Sequence, residues 1–91
     1  MSDRLDDDTI SDRLPDDWTH DGDAITRTYT FEEYLDGVAF ASEVGDLADE
    51  AFHHPEITIR YDEVEVRFTD HEAGGVTSQD IELARRTDDR R

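Results

Sequence analysis

Glu56-Ile57-Thr58-Ile59-Arg60-Tyr61-Asp62-Glu63-Val64-Glu65-Val66-Arg67-Phe68-Thr69 alternates apolar and polar residues on both sides of Asp62-Glu63. A period of two is the strand period, because successive side chains of a strand point to opposite faces. A two-residue turn at Asp62-Glu63 pairs Tyr61 with Val64, Ile59 with Val66 and Ile57 with Phe68, so all six share one face. The stretch therefore reads as a β-hairpin with one face for a core and one for water. Such a sheet needs an apolar layer laid on it.

The sequence just upstream supplies that layer. Pro55 stops a helix, since the residue before a proline is biased away from helical backbone. From Phe31 to about Phe52 the apolar residues recur at helical steps: Tyr34, Val38, Ala41, Gly45, Ala48 and Phe52 form one stripe. Phe40, Val44, Leu47 and Ala51 form a second stripe on a neighbouring face. One stripe covers the sheet. The second is either a contact with another subunit or the flank of a broad core face. Thr30-Phe31-Glu32-Glu33 reads as a capping box that starts the helix.

Further out, Trp18 to His20 and Asp23 to Thr30 read as a second hairpin turning at Asp21-Gly22, with Trp18 opposite Ile25. Ala73-Gly74-Gly75 is a loop, Thr77 an N-cap, and Ser78 to Thr87 the last helix. Residues 1–14 form an acidic arm, with a short helix over Thr9 to Leu14 that Pro15 stops. The sum is an α+β fold: a four-stranded antiparallel sheet with helices packed on one face, in a single domain over residues 1–91.

Composition narrows the class of function. The chain has 26 acidic and 9 basic residues, a net charge of -17, no lysine and no cysteine. Periodic apolar residues argue against a disordered acidic chain. An acidic surface suits molar salt, where the Debye length shrinks to about 3 Å. It also argues against nucleic acid or an anionic membrane as partner, since both are polyanions. The acidic N-terminus has no signal-peptide pattern and no segment is long and apolar enough to span a bilayer, so a cytoplasmic location is expected. A core this small often gains stability by oligomerising.

Three of the four histidines remain to be explained, and they stand close in order: His53-His54-Pro55, then His71. In the hairpin register above Pro55 lies near Asp70, which brings the histidine pair to His71 at one end of the sheet. A lone histidine at a helix C-terminus is most simply a dipole partner, but three converging on one edge suggest proton transfer or metal binding. Adjacent histidines point about 100° apart on a helix and to opposite faces of a strand, whereas a chelating pair is usually spaced i, i+4. The spacing argues against a metal site. His20, outside the cluster, reads as an ordinary surface or turn residue.

The ordered set Asp49-x3-His53-His54-Pro55-x5-Tyr61-x9-His71-x8-Asp80 resembles the signature of the pterin-4a-carbinolamine dehydratases. The flanks agree as well: Glu56, Glu72, Gly75-Val76-Thr77, Ile81 and Leu83-Ala84, with Trp18, Ile25, Arg27, Tyr29 and Phe31 upstream. The resemblance covers roughly residues 14 to 87.

It implies the same α+β architecture, a homodimer or homotetramer with sheets joined edge to edge, and a small-molecule pterin substrate. The implied reaction is loss of water from a 4a-hydroxytetrahydropterin, which needs no cofactor or metal. By position, His53 resembles the acid/base at the 4a-oxygen, His71 the one at N5, and His54 the residue that holds the substrate. Asp49 and Asp80 fall on acidic positions that orient imidazoles. Asp80 also stands three residues after Thr77, where a carboxylate caps a helix, and both roles are open to it. The segments His53–Pro55 and Asp70–Ala73, with His71 and Glu72 inside the latter, are implied substrate contacts.

Two features depart from the family pattern. Ile57 and Thr58 replace aromatics carried there by some members, and Asp70 brings a negative charge beside His71. A non-catalytic assembly partner of the same fold is the alternative function, and a pterin enzyme of another route, such as molybdenum-cofactor metabolism, is a third.

Overall fold

The computed structural model describes residues 3–91, so Met1 and Ser2 of the acidic arm lie outside the described residues. The elements run α1 (Asp7–Arg13), β1 (Thr19–Asp21), β2 (Ala24–Thr30), α2 (Tyr34–Ala51), β3 (Glu56–Ile59), β4 (Glu63–Phe68) and α3 (Ser78–Asp88). The strands make one antiparallel sheet in the order β1-β2-β4-β3. β4 is therefore central, and Val64, Val66 and Phe68 are buried on its inner face while Glu63, Glu65 and Arg67 are only half-buried on the other. The α+β reading of the sequence holds.

Both hairpins differ from expectation by a two-residue slip, in opposite directions. The observed register pairs Ile59 with Val64 and Ile57 with Val66, so the loop residues are Tyr61-Asp62. Likewise His20 pairs with Ile25, and the first loop is Gly22-Asp23. A two-residue slip leaves every side chain on the face it had, so apolar alternation cannot distinguish the registers. Local bonding decides them. Gly22 takes a φ of 61°, the left-handed value that a tight hairpin turn requires. In the second loop Arg60 N–H donates to Glu63 O at 2.8 Å, and Phe31 N–H reaches across to Asp62 O at 2.9 Å. Tyr61 is left exposed at the loop and Trp18 sits outside β1, packing on Phe68 at 5.9 Å between ring centroids.

The long helix starts three residues later than expected. Thr30 is the last residue of β2, paired with Glu63, so it is not free to cap; Glu33 is the N-cap and makes no side-chain cap bond. The subunit-contact reading of the second stripe is also overturned. Phe40, Val44 and Leu47 are buried within the single chain, where they form the core with Ile25, Tyr29, Val64, Val66 and Phe68. They are the flank of one broad core face, completed by Gly37, Ala41 and Ala48. Tyr34 and Leu35 are the large apolar residues of the helix left exposed.

The helix α1 begins at Asp7 because the Asp6 side chain accepts from Thr9 N–H at 2.8 Å, an N-cap that the acidic composition obscured. Leu5 N–H donates to Val76 O at 2.8 Å and ties the arm to the loop before α3.

Candidate functional site

The histidine pair owes its geometry to how α2 ends. Phe52 follows Ala51 in left-handed backbone (φ 52°, ψ 39°), and His53 N–H turns back to Ala48 O at 3.1 Å. This closure, usually made with glycine, reverses the chain within one residue. It sends His53 inward and His54 outward.

His53 has only 12% of its side chain exposed. Its ring lies parallel to Phe68, with an interplanar angle of 8° at 6.5 Å between centroids. Its Nε2 meets Asp80 Oδ1 at 2.5 Å, and Asp80 is fully buried. The other carboxylate oxygen, Oδ2, accepts from Thr77 N–H at 2.8 Å and from Thr77 Oγ1 at 3.2 Å, which is the capping box of α3. Both roles open to Asp80 are thus filled at once, one oxygen for the helix and one for the imidazole. A buried carboxylate is tolerable only when fully bonded, and this one is. Asp80 thus engages the Nε2 side of the ring, leaving Nδ1 as the other ring nitrogen.

His54 and Asp49 form a second pair, at 2.8 Å between Nε2 and Oδ1, but both side chains are largely exposed. His71 stands exposed in the loop after β4. Asp70 builds that loop: its Oδ1 accepts from Glu72 N–H at 2.9 Å and from Ala73 N–H at 3.0 Å, and its carbonyl accepts from Gly74 and Gly75. One oxygen of the Asp70 carboxylate thus bonds the loop's own backbone. A Cβ at Gly75 would meet Arg4 Cδ at 2.6 Å, so the flexible Arg4 side chain would have to move aside.

An open cleft of about 780 Å³ gathers His53, His54, Asp70, His71, Glu72 and Ala73. All of these were expected site residues. Pro55 is not in its wall, Asp49 stands outside on the helix, and Asp80 lies beneath His53. A depression of about 440 Å³ adjoins it across His54 and His71. His20 lines a separate hollow with the acidic arm.

Sequence reading missed Asp3, Arg4, Phe52, Thr69 and Gln79 in the cleft wall. Arg4 reaches it only through tertiary packing of the arm. Gln79 donates to Ala51 O at 3.2 Å and joins the end of α2 to the start of α3. Phe52 did carry a signal, an aromatic residue directly before the histidine pair.

Among the described residues, no group of three or more His, Asp or Glu side chains is placed to hold a metal ion. No helix among them is long and apolar enough to cross a membrane.

A four-stranded antiparallel sheet, helices on its inner face and a histidine-lined cleft at one end define a small α+β class. Comparison with known proteins gives the family. The sequence profile described as Pterin 4 alpha carbinolamine dehydratase matches residues 3–90, and the chain belongs to that family. Relatives provisionally named pterin-4-alpha-carbinolamine dehydratases include one from Halobacterium salinarum, 99% identical over 91 residues and covering all of both chains. Another, from Natronomonas pharaonis, is 62% identical over 89 residues, covering 98% of this chain and 97% of its own. A crystal structure from Brucella melitensis, described as a transcriptional coactivator/pterin dehydratase, superposes with a TM-score of 0.90 at 29% identity, covering 97% of this chain and 98% of its own. A RuBisCO assembly factor of the alpha-carboxysome shares the fold at 21% identity, with a TM-score of 0.68 over 80% of this chain and 87% of its own.

Proposed function

We propose that the protein removes water from a 4a-hydroxytetrahydropterin to give the quinonoid dihydropterin, by histidine general acid/base catalysis. The observation that carries this reading is the convergence of His53, His54 and His71 on one cleft, with His53 backed by the buried Asp80. The chemistry moves protons only. The C4a–O bond breaks, its electron pair leaves on the hydroxyl, and a proton delivered there completes the water. The N5–H proton departs as the N5 electron pair closes the C=N bond. No electron acceptor is needed.

In this scheme His53 delivers the proton to the leaving oxygen. Asp80 steadies the imidazolium from behind at the Nε2 side, so Nδ1 is the exchanging atom. His71 takes the N5 proton, and its exposure allows the proton to pass on to water. His54, paired with the exposed Asp49, holds the substrate at the rim. Each acid/base group is worth on the order of 10²–10⁴ in rate. Backbone groups of the Asp70–Ala73 loop complete the cradle.

Self-association, implied by the family resemblance, then falls to surfaces that the single chain leaves open. These are the β3 edge with Ile59 and the start of α2 with Tyr34 and Leu35.

The test is a dehydration assay on a synthetic 4a-carbinolamine in molar KCl. His53→Ala and His71→Ala should each lower kcat by about 10²-fold or more, while His54→Ala mainly raises KM. Wild-type protein no faster than His71→Ala would remove the enzyme reading and leave a non-catalytic assembly partner of the same fold.

A further inference from the structure

We propose that Phe52 is the stacking wall of this cleft, the surface on which the flat face of the pterin ring lies. The inference rests on the dehydratase reading for the identity of the ligand, and on three observations for the residue.

The first is exposure. Phe52 is 90% exposed, the most exposed large apolar side chain among the described residues, and it lines the cleft beside His53 and His54. The second is backbone conformation. Phe52 holds the left-handed conformation that closes α2, with φ of 52°. A bulky side chain is disfavoured there and glycine would be at ease. A phenylalanine that neither fills the core nor suits its backbone is a functional candidate by its cost alone.

The third observation is what surrounds it. The rest of the cleft wall is charged, polar or small, with Asp70, His71, Glu72 and Gln79 among its members. Such a wall can bond the edge of a heteroaromatic ring but offers little to its faces. Ile57 cannot help, since it packs against the core from β3, and Thr58 points to the opposite, exposed face of that strand. Among the described residues, Phe52 is the one large apolar side chain in the wall. An aromatic platform flanked by hydrogen-bonding edges is what a flat heterocycle requires.

The experiment compares wild type with Phe52→Gly, Phe52→Tyr and Phe52→Trp in molar KCl. Readouts are steady-state dehydration, binding of a fully oxidised pterin followed by its fluorescence, thermal midpoint and sedimentation mass. The oxidised pterin has no 4a-hydroxyl, so it reports binding without turnover. Phe52→Gly should raise KM and the oxidised-pterin Kd about tenfold, as loss of one stacking partner does. Its thermal midpoint should stay level or rise, because glycine relaxes the left-handed position. Tyrosine and tryptophan should restore both constants to within about threefold.

Unchanged KM and Kd in Phe52→Gly, with wild type active, would overturn the stacking role and leave the dehydratase reading intact. Wild type that binds oxidised pterin through Phe52 but does not dehydrate the carbinolamine would sink the dehydratase reading and keep the wall. A fall in sedimentation mass on Phe52→Gly would make the residue a subunit contact and overturn the proposal.

Discussion

The last helix carries an aspartate at each end, and the two are used in different ways. Asp80, in the first turn, is fully buried and shares its oxygens between the Thr77 cap and the His53 imidazole. Asp88, the last residue of α3, gathers the Trp18 indole at 3.0 Å, the Arg27 guanidinium at 3.0 Å and the Tyr29 hydroxyl. Arg27 also lies 4.5 Å over the Tyr29 ring. The donors on Asp88 neither gain nor lose a proton near neutral pH, so that cluster anchors the helix to β2. The partner of Asp80 is an imidazole, a side-chain type suited to acid or base work. The same side chain on one helix thus anchors a strand at one end and holds an imidazole at the other.

The sharpest way to break this contrast is to remove Asp80. Asp80→Ala should lower kcat about 10²-fold, because His53 loses the group that fixes its tautomer, and should cost about 2 kcal/mol of stability through the lost cap and buried bonds. Asp80→Asn keeps an acceptor for the cap and should recover part of the stability but little of the rate. An Asp80→Ala protein that is destabilised yet fully active would place both aspartates in the same class.

Asp88→Ala should do the converse. It strands donors on the buried Trp18 and Tyr29, costing about 2 kcal/mol, or roughly 10 °C in Tm for a domain of this size. Turnover below the new Tm should match wild type within about twofold. A large loss of kcat in a folded Asp88→Ala protein would show that the far end of α3 reaches the cleft.

Salt separates the surface from both ends. With a net charge of -17, Tm should rise from millimolar to molar KCl as repulsion is screened. The Tm difference between wild type and Asp88→Ala should change little across that range, since the cluster is partly buried. A flat wild-type Tm would mean that the acidic surface is not adapted to salt.

The smallest expected effect lies at high pH. Burial, helped by the hydrogen bond to Asp88, holds the Tyr29 phenol well above the ordinary tyrosine value. Its folded pKa exceeds its unfolded one, so the associated stability is present below about pH 10 and is lost as pH rises beyond it. Tyr29→Phe should cost about 1 kcal/mol at neutral pH and flatten that alkaline decline. Equal alkaline slopes for wild type and Tyr29→Phe would assign the decline to other groups.

How much of this was legible beforehand differs by residue. Alternation in 56–69 identified the hairpin and its inner face, yet the register came out two residues away, because a slip of two preserves every face. Spacing of the histidines identified the cleft residues, whereas Arg4 enters the cleft from an arm with no local signal. Thr77 and Asp80 read correctly as a helix start, but the second bond of Asp80, to a residue 27 positions earlier, had no local sign.

The sequence by itself determined the element types, the core parity of each strand, the acidic surface and the convergence of three histidines at one end of the sheet. These follow from periodicity and side-chain type, which act over a few residues. Only the tertiary structure decided that Phe40, Val44 and Leu47 belong to the core, that Thr30 serves a strand rather than a cap, and that Asp80 holds His53. Each is a competition between partners distant in the chain, and the outcome depends on which of them packing brings within bonding distance.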